Sequence, residues 1–269
     1  MLDITLFGST SFSVSGKVLR TEFGQAGRLL ACYLFQYSGR SHRRERLMDL
    51  FWGDLDPDRS RSAFNTAIWR IRKMLDQVQP DGSSILMTFG NDVRLERASF
   101  FEVDTRRLEC VNPKSITSLK SGSGGVAAEE ELCNALDCYT GPFLEGDDGD
   151  WVLQERERLH NLYITGNLEL MRSCARRCEL ERALTFGRQI LVTDPLRESV
   201  QRDVMLLLAL TGCPADALMS YQRLRSLLKA ELGIEPMPDT RQLHEDIVTG
   251  NLYCGIDGRL SRHFALTQR

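Results

Sequence analysis

The chain has 269 residues, enough for one large domain or two smaller ones, and its apolar (42%) and charged (26%) shares exclude a disordered or fibrous protein. The formal charge of −3 is unevenly spread: residues 1–100 hold 14 Lys and Arg against 11 Asp and Glu, a net of +3, and the remainder carries −6. A polyanionic partner is therefore expected to meet the first half. A membrane span is excluded, since even the most apolar run, residues 204–210, is far too short.

The amino terminus, MLDITLFGST, has neither the basic start nor the long apolar core of a signal peptide, so a cytoplasmic location is expected, with the eight cysteines as reduced thiols. Residues 2–7 (LDITLF) and 12–14 (FSV) read as short strands, with Ser15 and Gly16 as a turn before 17–19. Leu29, Leu30, Tyr33, Leu34 and Tyr37 recur at helical spacing and predict a helix over 25–37, closed by Ser38 and Gly39. Ser41 is placed to cap a second helix, with Arg44 and Glu45 in its first turns and Leu47, Leu50 and Phe51 on its inner face. The turn-rich GDLDPD (53–58) leads into RSRSAFNTAIWRIRKML (59–75), which carries five basic residues and no acid. At 100° per residue, Phe64, Ala67, Ile68, Ile71 and Leu75 fall on one side of this helix, and Arg59, Ser62, Thr66, Trp69, Arg70 and Lys73 on the other. Residues 79–83 read as a loop, and 85–89 and 93–95 flank Gly90, Asn91 and Asp92 as a β-hairpin. This order of strands, helices, basic helix and hairpin makes a helix-turn-helix with an added wing.

A helix with an apolar back and a basic front can pack on a domain and enter a DNA major groove; an ordinary solvated basic face is the plain alternative. Under the first reading Arg59 and Lys73, near the helix ends, suit phosphates. Asn65, Thr66, Trp69 and Arg70 lie where base edges would be reached. Arg70 could bridge guanine O6 and N7, and Thr66 could touch a thymine methyl or a phosphate. Trp69 has a second reading, packed against the wing. Arg61 and Arg72 project sideways and could pair with Asp56 or Asp58. Arg43, Arg44 and Arg46 cluster beside the turn between helices, one or two of them suited to phosphate.

After a helix at 105–110, residues 114–126 (KSITSLKSGSGGV) read as a Ser/Gly-rich loop. Helical periodicity then dominates, over 129–139, 151–178, 180–193, 198–211, 214–232 and 239–249. Ala183-Leu184 before Phe186 recurs as Ala217-Leu218 before Tyr221, an offset of 34 residues and the tetratricopeptide period. Cys174 and Cys178, four apart on a helix, lack a CxxC partner or a nearby histidine, so the cysteines read as small buried hydrophobes and no metal is expected. The acidic EGDDGD (145–150) lacks calcium-loop spacing and reads as a loop with Asp150 as N-cap. Catalysis has no support: nucleotide, serine-hydrolase and zinc-protease motifs are absent, the four histidines are scattered, and His160 reads as a surface residue. No cofactor is expected.

The runs RERLMDLFWGD (44–54) and AFNTAIWRIRKML (63–75) resemble the second and recognition helices of the winged-helix domain of OmpR-type response regulators. Four further runs, at 135–163, 194–205, 215–236 and 238–250, resemble the bacterial transcriptional activator domain. Together the two halves resemble the Streptomyces antibiotic regulatory protein (SARP) family over residues 1–250. The resemblance implies a mainly α fold with a small β component. Residues 1–98 would be the winged helix-turn-helix and 99–250 a tetratricopeptide-like all-α domain, with 251–269 as a tail. It implies a cytoplasmic, non-enzymatic transcriptional activator that binds direct repeats in double-stranded promoter DNA as a head-to-tail pair and recruits RNA polymerase. The hairpin residues Asn91 and Arg94 would touch the flanking minor groove or phosphates. A helical scaffold whose winged helix binds protein is the alternative. Two residues depart from the family pattern: Cys178 stands where a turn glycine is common, and Trp69 where the recognition helix carries a small or hydroxylated residue.

Overall fold

A computed structural model of the chain describes residues 1–109, 111, 116–117 and 125–251. The described residues form two compact units, one within Met1–Cys110 and Asp137–Leu159 and the other within Val111–Leu136 and His160–Arg269.

The first unit opens with β1 (Leu2–Thr5), β2 (Ser11–Val14) and β3 (Lys17–Val18). With β7 (Phe101–Val103) they make a sheet of order β3-β2-β1-β7, in which β7 alone runs parallel to β1. The alternation in β1 turns Leu2 and Ile4 inward. Helices α1 (Gln25–Gln36), α2 (Arg44–Trp52) and α3 (Pro57–Val78) follow the first three strands. Leu30, Phe35, Phe64, Ile71 and Leu75 from α1 and α3 are buried, each contributing about 1.5–3 kcal/mol relative to exposure. A second sheet of order β4-β6-β5 joins β4 (Ser41–Arg43) to the hairpin β5 (Leu86–Phe89) and β6 (Asp92–Leu95). The hairpin turn is Gly90-Asn91, since Phe89 pairs with Asp92, and Gly90 has the positive φ (54°) such a turn requires.

Two expectations fail here. Ser41 does not cap α2; it lies in β4 opposite Arg94, and the cap position is Arg43, without a side-chain cap bond. Of the inner-face residues expected on α2, Leu47 is buried but Leu50 is exposed.

After the short α4 (Asp104–Leu108), the Asp104 carboxylate accepts from the backbone N–H groups of Leu6, Phe7 and Thr105, closing the end of β1. Residues 137–159 pack into the same unit. Phe143 bridges Phe7, and Gly8 N–H donates to the Pro142 carbonyl. Arg28 forms a two-toothed ion pair with the buried carboxylate of Asp147, at 2.7 and 2.9 Å. Gln36 and Tyr37 both donate to Glu155, whose other partner is Arg158. Trp151 stands edge-on to Tyr33, Tyr37, Phe51 and Phe143.

The second unit is helical: α5 (Gly125–Leu136), the greater part of α6 (Asp150–Arg176), α7 (Leu180–Thr193), α8 (Glu198–Leu210), α9 (Pro214–Glu231) and α10 (Pro238–Val248). Asp150 is the first residue of α6, not its cap; Gly149 holds that place, accepting from the Leu153 N–H. Ala183 of α7 and Ala217 of α9 are both fully buried, so the 34-residue offset marks equivalent helices of successive tetratricopeptide-like pairs. Tyr221 of α9 stacks on His244 of α10 at 4.1 Å. Cys178 takes the left-handed φ (60°) that a glycine would supply, and the chain closes α6 by bonds from Cys178 N–H to Ala175 and from Glu179 N–H to Cys174. Most of 114–126 and all but the first residue of 251–269 lie outside the described residues.

Candidate nucleic-acid interface

The site is built on α3. Asp56 caps it by accepting from Arg59 N–H (3.1 Å) and Pro57 occupies the first turn, so the helix starts before the basic run. Phe64, Ala67, Ile68, Ile71, Met74 and Leu75 are buried, as the period predicts. Arg59, Ser62, Asn65, Thr66, Trp69 and Lys73 are exposed, and Arg70 is half-buried.

Several of these groups already have partners. Arg59 pairs with Asp56 (3.2 Å) and Arg61 with Asp58 (3.7 Å), both exposed pairs worth about 0–1 kcal/mol and easily exchanged for phosphate. Arg72 does not reach an acid; it donates to the Leu86 carbonyl and to Thr88 Oγ1, tying α3 to the wing strand β5. Arg44 lies over the Phe64 ring and donates to Asn65 Oδ1. The Thr66 hydroxyl donates to the Ser62 carbonyl (2.9 Å). Trp69 does not pack on the wing: 58% of it is exposed, and Lys73 Nζ sits 5.2 Å from its ring centre.

The wing residues are arranged differently. Arg43 pairs with Asp92 (3.6 Å), Asn91 Nδ2 donates to Glu45 (2.9 Å), and Arg94 pairs with Glu96 (2.8 Å). Arg59, Thr66, Trp69, Arg70 and Lys73 thus share the open side of α3, whereas Arg43, Asn91 and Arg94 belong to the β4–β6 wing and face acids.

Two neighbouring features carried no sequence signal. Arg20, Thr21 and Phe23, in the stretch after β3, line a cleft with Trp69, Arg70 and Lys73. Gly24 and Gln25, at the start of α1, line another with Arg59, Ser62, Thr66 and Arg70. Only folding brings residues 20–25 to this side of α3, so no local periodicity announces them.

Elsewhere the expectations divide. Cys32 and Cys174 are buried, and burial pushes their thiols up to about 12 and about 11, so both behave as inert small hydrophobes. Cys178 and Cys213 are exposed, against expectation. Ligand atoms of Glu129, Cys174 and Glu179 gather within 4.8 Å. Arg177 and Arg182 hydrogen-bond both carboxylates, and the Arg177 bond chiefly holds Glu179 down to about 2, so these oxygens are engaged by guanidinium groups. His160 is half-buried, and burial lowers its basicity. No helix among the described residues is long and apolar enough to cross a membrane.

The family description "Bacterial transcriptional activator domain" matches residues 103–248, more than half of the chain. The chain belongs to this family. Its relatives include the regulatory protein AfsR of Streptomyces coelicolor, 28% identical over 87% of this chain but only 23% of AfsR. The transcriptional regulatory protein MoaR1 of Mycobacterium bovis is 25% identical over 81% of this chain and 70% of its own. The chain spans about a quarter of the AfsR length. Among solved structures, Mycobacterium tuberculosis EmbR in complex with a low-affinity phosphopeptide shares the fold, with a TM-score of 0.74 at 20% identity over 93% of this chain and 65% of that one. The family and the fold agree with the SARP-type resemblance of the sequence. Residues 137–159, inside the matched span, lie in the first compact unit, as does the start of that span.

Proposed function

We propose that this chain is a sequence-specific transcriptional activator. Its OmpR-type winged helix, residues 1–98, binds direct repeats in promoter DNA, and its helical domain, residues 99–250, recruits RNA polymerase. The observation that carries this reading is α3: an apolar back locked into the core, and an open side bearing Arg59, Thr66, Trp69, Arg70 and Lys73. Arg59 and Lys73 supply phosphate contacts that position the helix, and Arg70 supplies a forked donor for guanine. Asn65 and Arg61 flank the stripe, and Arg43, Asn91 and Arg94 reach the backbone beside it once phosphate replaces their acid partners, of which Glu45 is exposed and Asp92 and Glu96 half-buried. The regulatory names of AfsR and MoaR1 support the role in transcription. No cofactor, metal or membrane enters the mechanism, and the protein works in the cytoplasm.

Two protomers sit head to tail on one side of the duplex, because major-groove faces recur about every 10–10.5 base pairs. Retention on heparin or random DNA, followed by a salt titration, tests the reading. A steep log–log slope supports it, and absence of retention favours a scaffold whose winged helix binds protein. Inserting half a helical turn between repeats tests the pair: cooperative occupancy is lost if the arrangement holds.

A further inference from the structure

We propose that Trp69 reads a thymine methyl group in the major groove, making the site recognised by each protomer depend on one thymine beside the base pair contacted by Arg70. This rests on the DNA-binding reading of α3. Trp69 is the largest exposed apolar side chain of that helix, and it lies mid-helix on the same open line as Ser62, Thr66 and Lys73. The polar groups around it are already engaged: the Asn65 oxygen by Arg44, and the Thr66 hydroxyl by the Ser62 carbonyl. Beside the amide nitrogen of Asn65, what this part of the helix presents outward is an indole, the methyl of Thr66 and the Arg70 guanidinium.

The major-groove edges of the four bases carry a single apolar group, the C5-methyl of thymine. An indole offers a broad apolar ring and one N–H donor; the ring matches that methyl while the N–H stays in water. Lys73 Nζ sits 5.2 Å from the ring centre, and Trp69 shares a cleft with Lys73, Arg20, Thr21, Glu22 and Phe23. An indole turns about only two side-chain bonds, so ordering it against a methyl costs little freedom, and the contact gives selectivity at a single base pair.

The test uses the full chain and a duplex enriched by it from a randomised pool. Each thymine of that duplex is replaced in turn by deoxyuridine, which removes the methyl and leaves every hydrogen-bonding group in place. One position per repeat is expected to lose affinity about three- to fivefold, the order for one methyl leaving an apolar contact. With Trp69→Ala, exposed and so tolerated by the fold, that dependence disappears; with Trp69→Phe most of it remains. A flat deoxyuridine scan for the wild-type chain overturns the proposal, as does a scan that keeps its sensitive position in Trp69→Ala. If the folded wild-type chain enriches no duplex at all, the DNA-binding reading itself fails, which is a different result from binding that ignores the methyl.

Discussion

Arg70 and Lys73 stand three residues apart on α3 and carry different duties under the proposed function. Arg70→Ala is expected to weaken binding to the enriched duplex by about 1–3 kcal/mol and to relax preference at one base pair. Lys73→Ala weakens binding to specific and random DNA alike and makes the salt slope shallower by about one unit. Equilibrium titrations on both duplexes separate the two; an Arg70→Ala chain with unchanged affinity and preference removes the recognition-helix assignment. Cys178 illustrates a residue tolerated against its own preference, since its φ of 60° suits glycine. Cys178→Gly is expected to stabilise the helical unit by about 1 kcal/mol, the cost of holding a side chain in that conformation, and chemical denaturation measures it. His42 gives a pH dependence. Its ring lies 5.0 Å from Tyr33, and burial lowers its pKa below 6.5, with Arg40 and Arg46 adding to the shift and the Tyr37 backbone opposing it. The fold therefore favours neutral His42: the stability this contributes is present above pH 6.5 and lost as pH falls through the folded pKa. His160 shifts the same way, so the informative quantity is the difference between the wild type and His42→Gln in melts across this range. Identical pH dependence in both chains would show that His42 does not titrate in this way.

At the level of elements, α3 was legible because twelve or more residues of strict helical period override any local ambiguity; its start moved to where Asp56 and Pro57 end the preceding turn, and its end ran on from Leu75 to Val78. The wing was legible from its turn chemistry, Gly90 followed by Asn91. Strand β4 was not. Three residues carry no usable period, and what makes them a strand is pairing with β6, some fifty residues away. The same reason hid the packing of residues 137–159, whose partners are Phe7, Arg28 and Gln36. Within the site, the open side of α3 was readable, whereas Arg20 and Phe23 arrive through the stretch between β3 and α1, and the acid partners of Arg43, Asn91 and Arg94 arrive from the wing and from α2. In the helical unit the approach of α7 to its neighbours depends on Gly187. A methyl added there would lie 2.6 Å from Val204 Cγ2 and 3.1 Å from Met171 Sδ. Val204 is β-branched and buried, so it cannot swing aside. Gly187→Ala should therefore destabilise by about 1–3 kcal/mol in spite of the better helix propensity of alanine. A neutral or stabilised variant in urea unfolding would mean that α7 and α8 can separate at little cost.

For the whole molecule, the packing of residues 137–159 bears on where the chain can be cut. A chain ending at residue 111 keeps all of α3 and the wing but loses Phe143, Asp147, Trp151 and Glu155, the partners of Phe7, Arg28, Tyr33 and Gln36. It is expected to melt at lower temperature than the same unit in the full chain and to bind DNA more weakly. It should also lose promoter activation, because the segment assigned to polymerase recruitment is gone. Full activation by residues 1–111 would exclude any part for the helical domain. The central claim, that α3 places this protein on duplex DNA through phosphate and base contacts, is met most directly by one measurement: the affinity of the full chain for its enriched duplex and for a random duplex of equal length, followed from about 50 to 200 mM salt. The account predicts that log K falls linearly with log salt, by about 0.9 for each phosphate neutralised, and that the enriched duplex stays tighter throughout. Binding that ignores salt, or a folded chain that binds neither duplex, would contradict it.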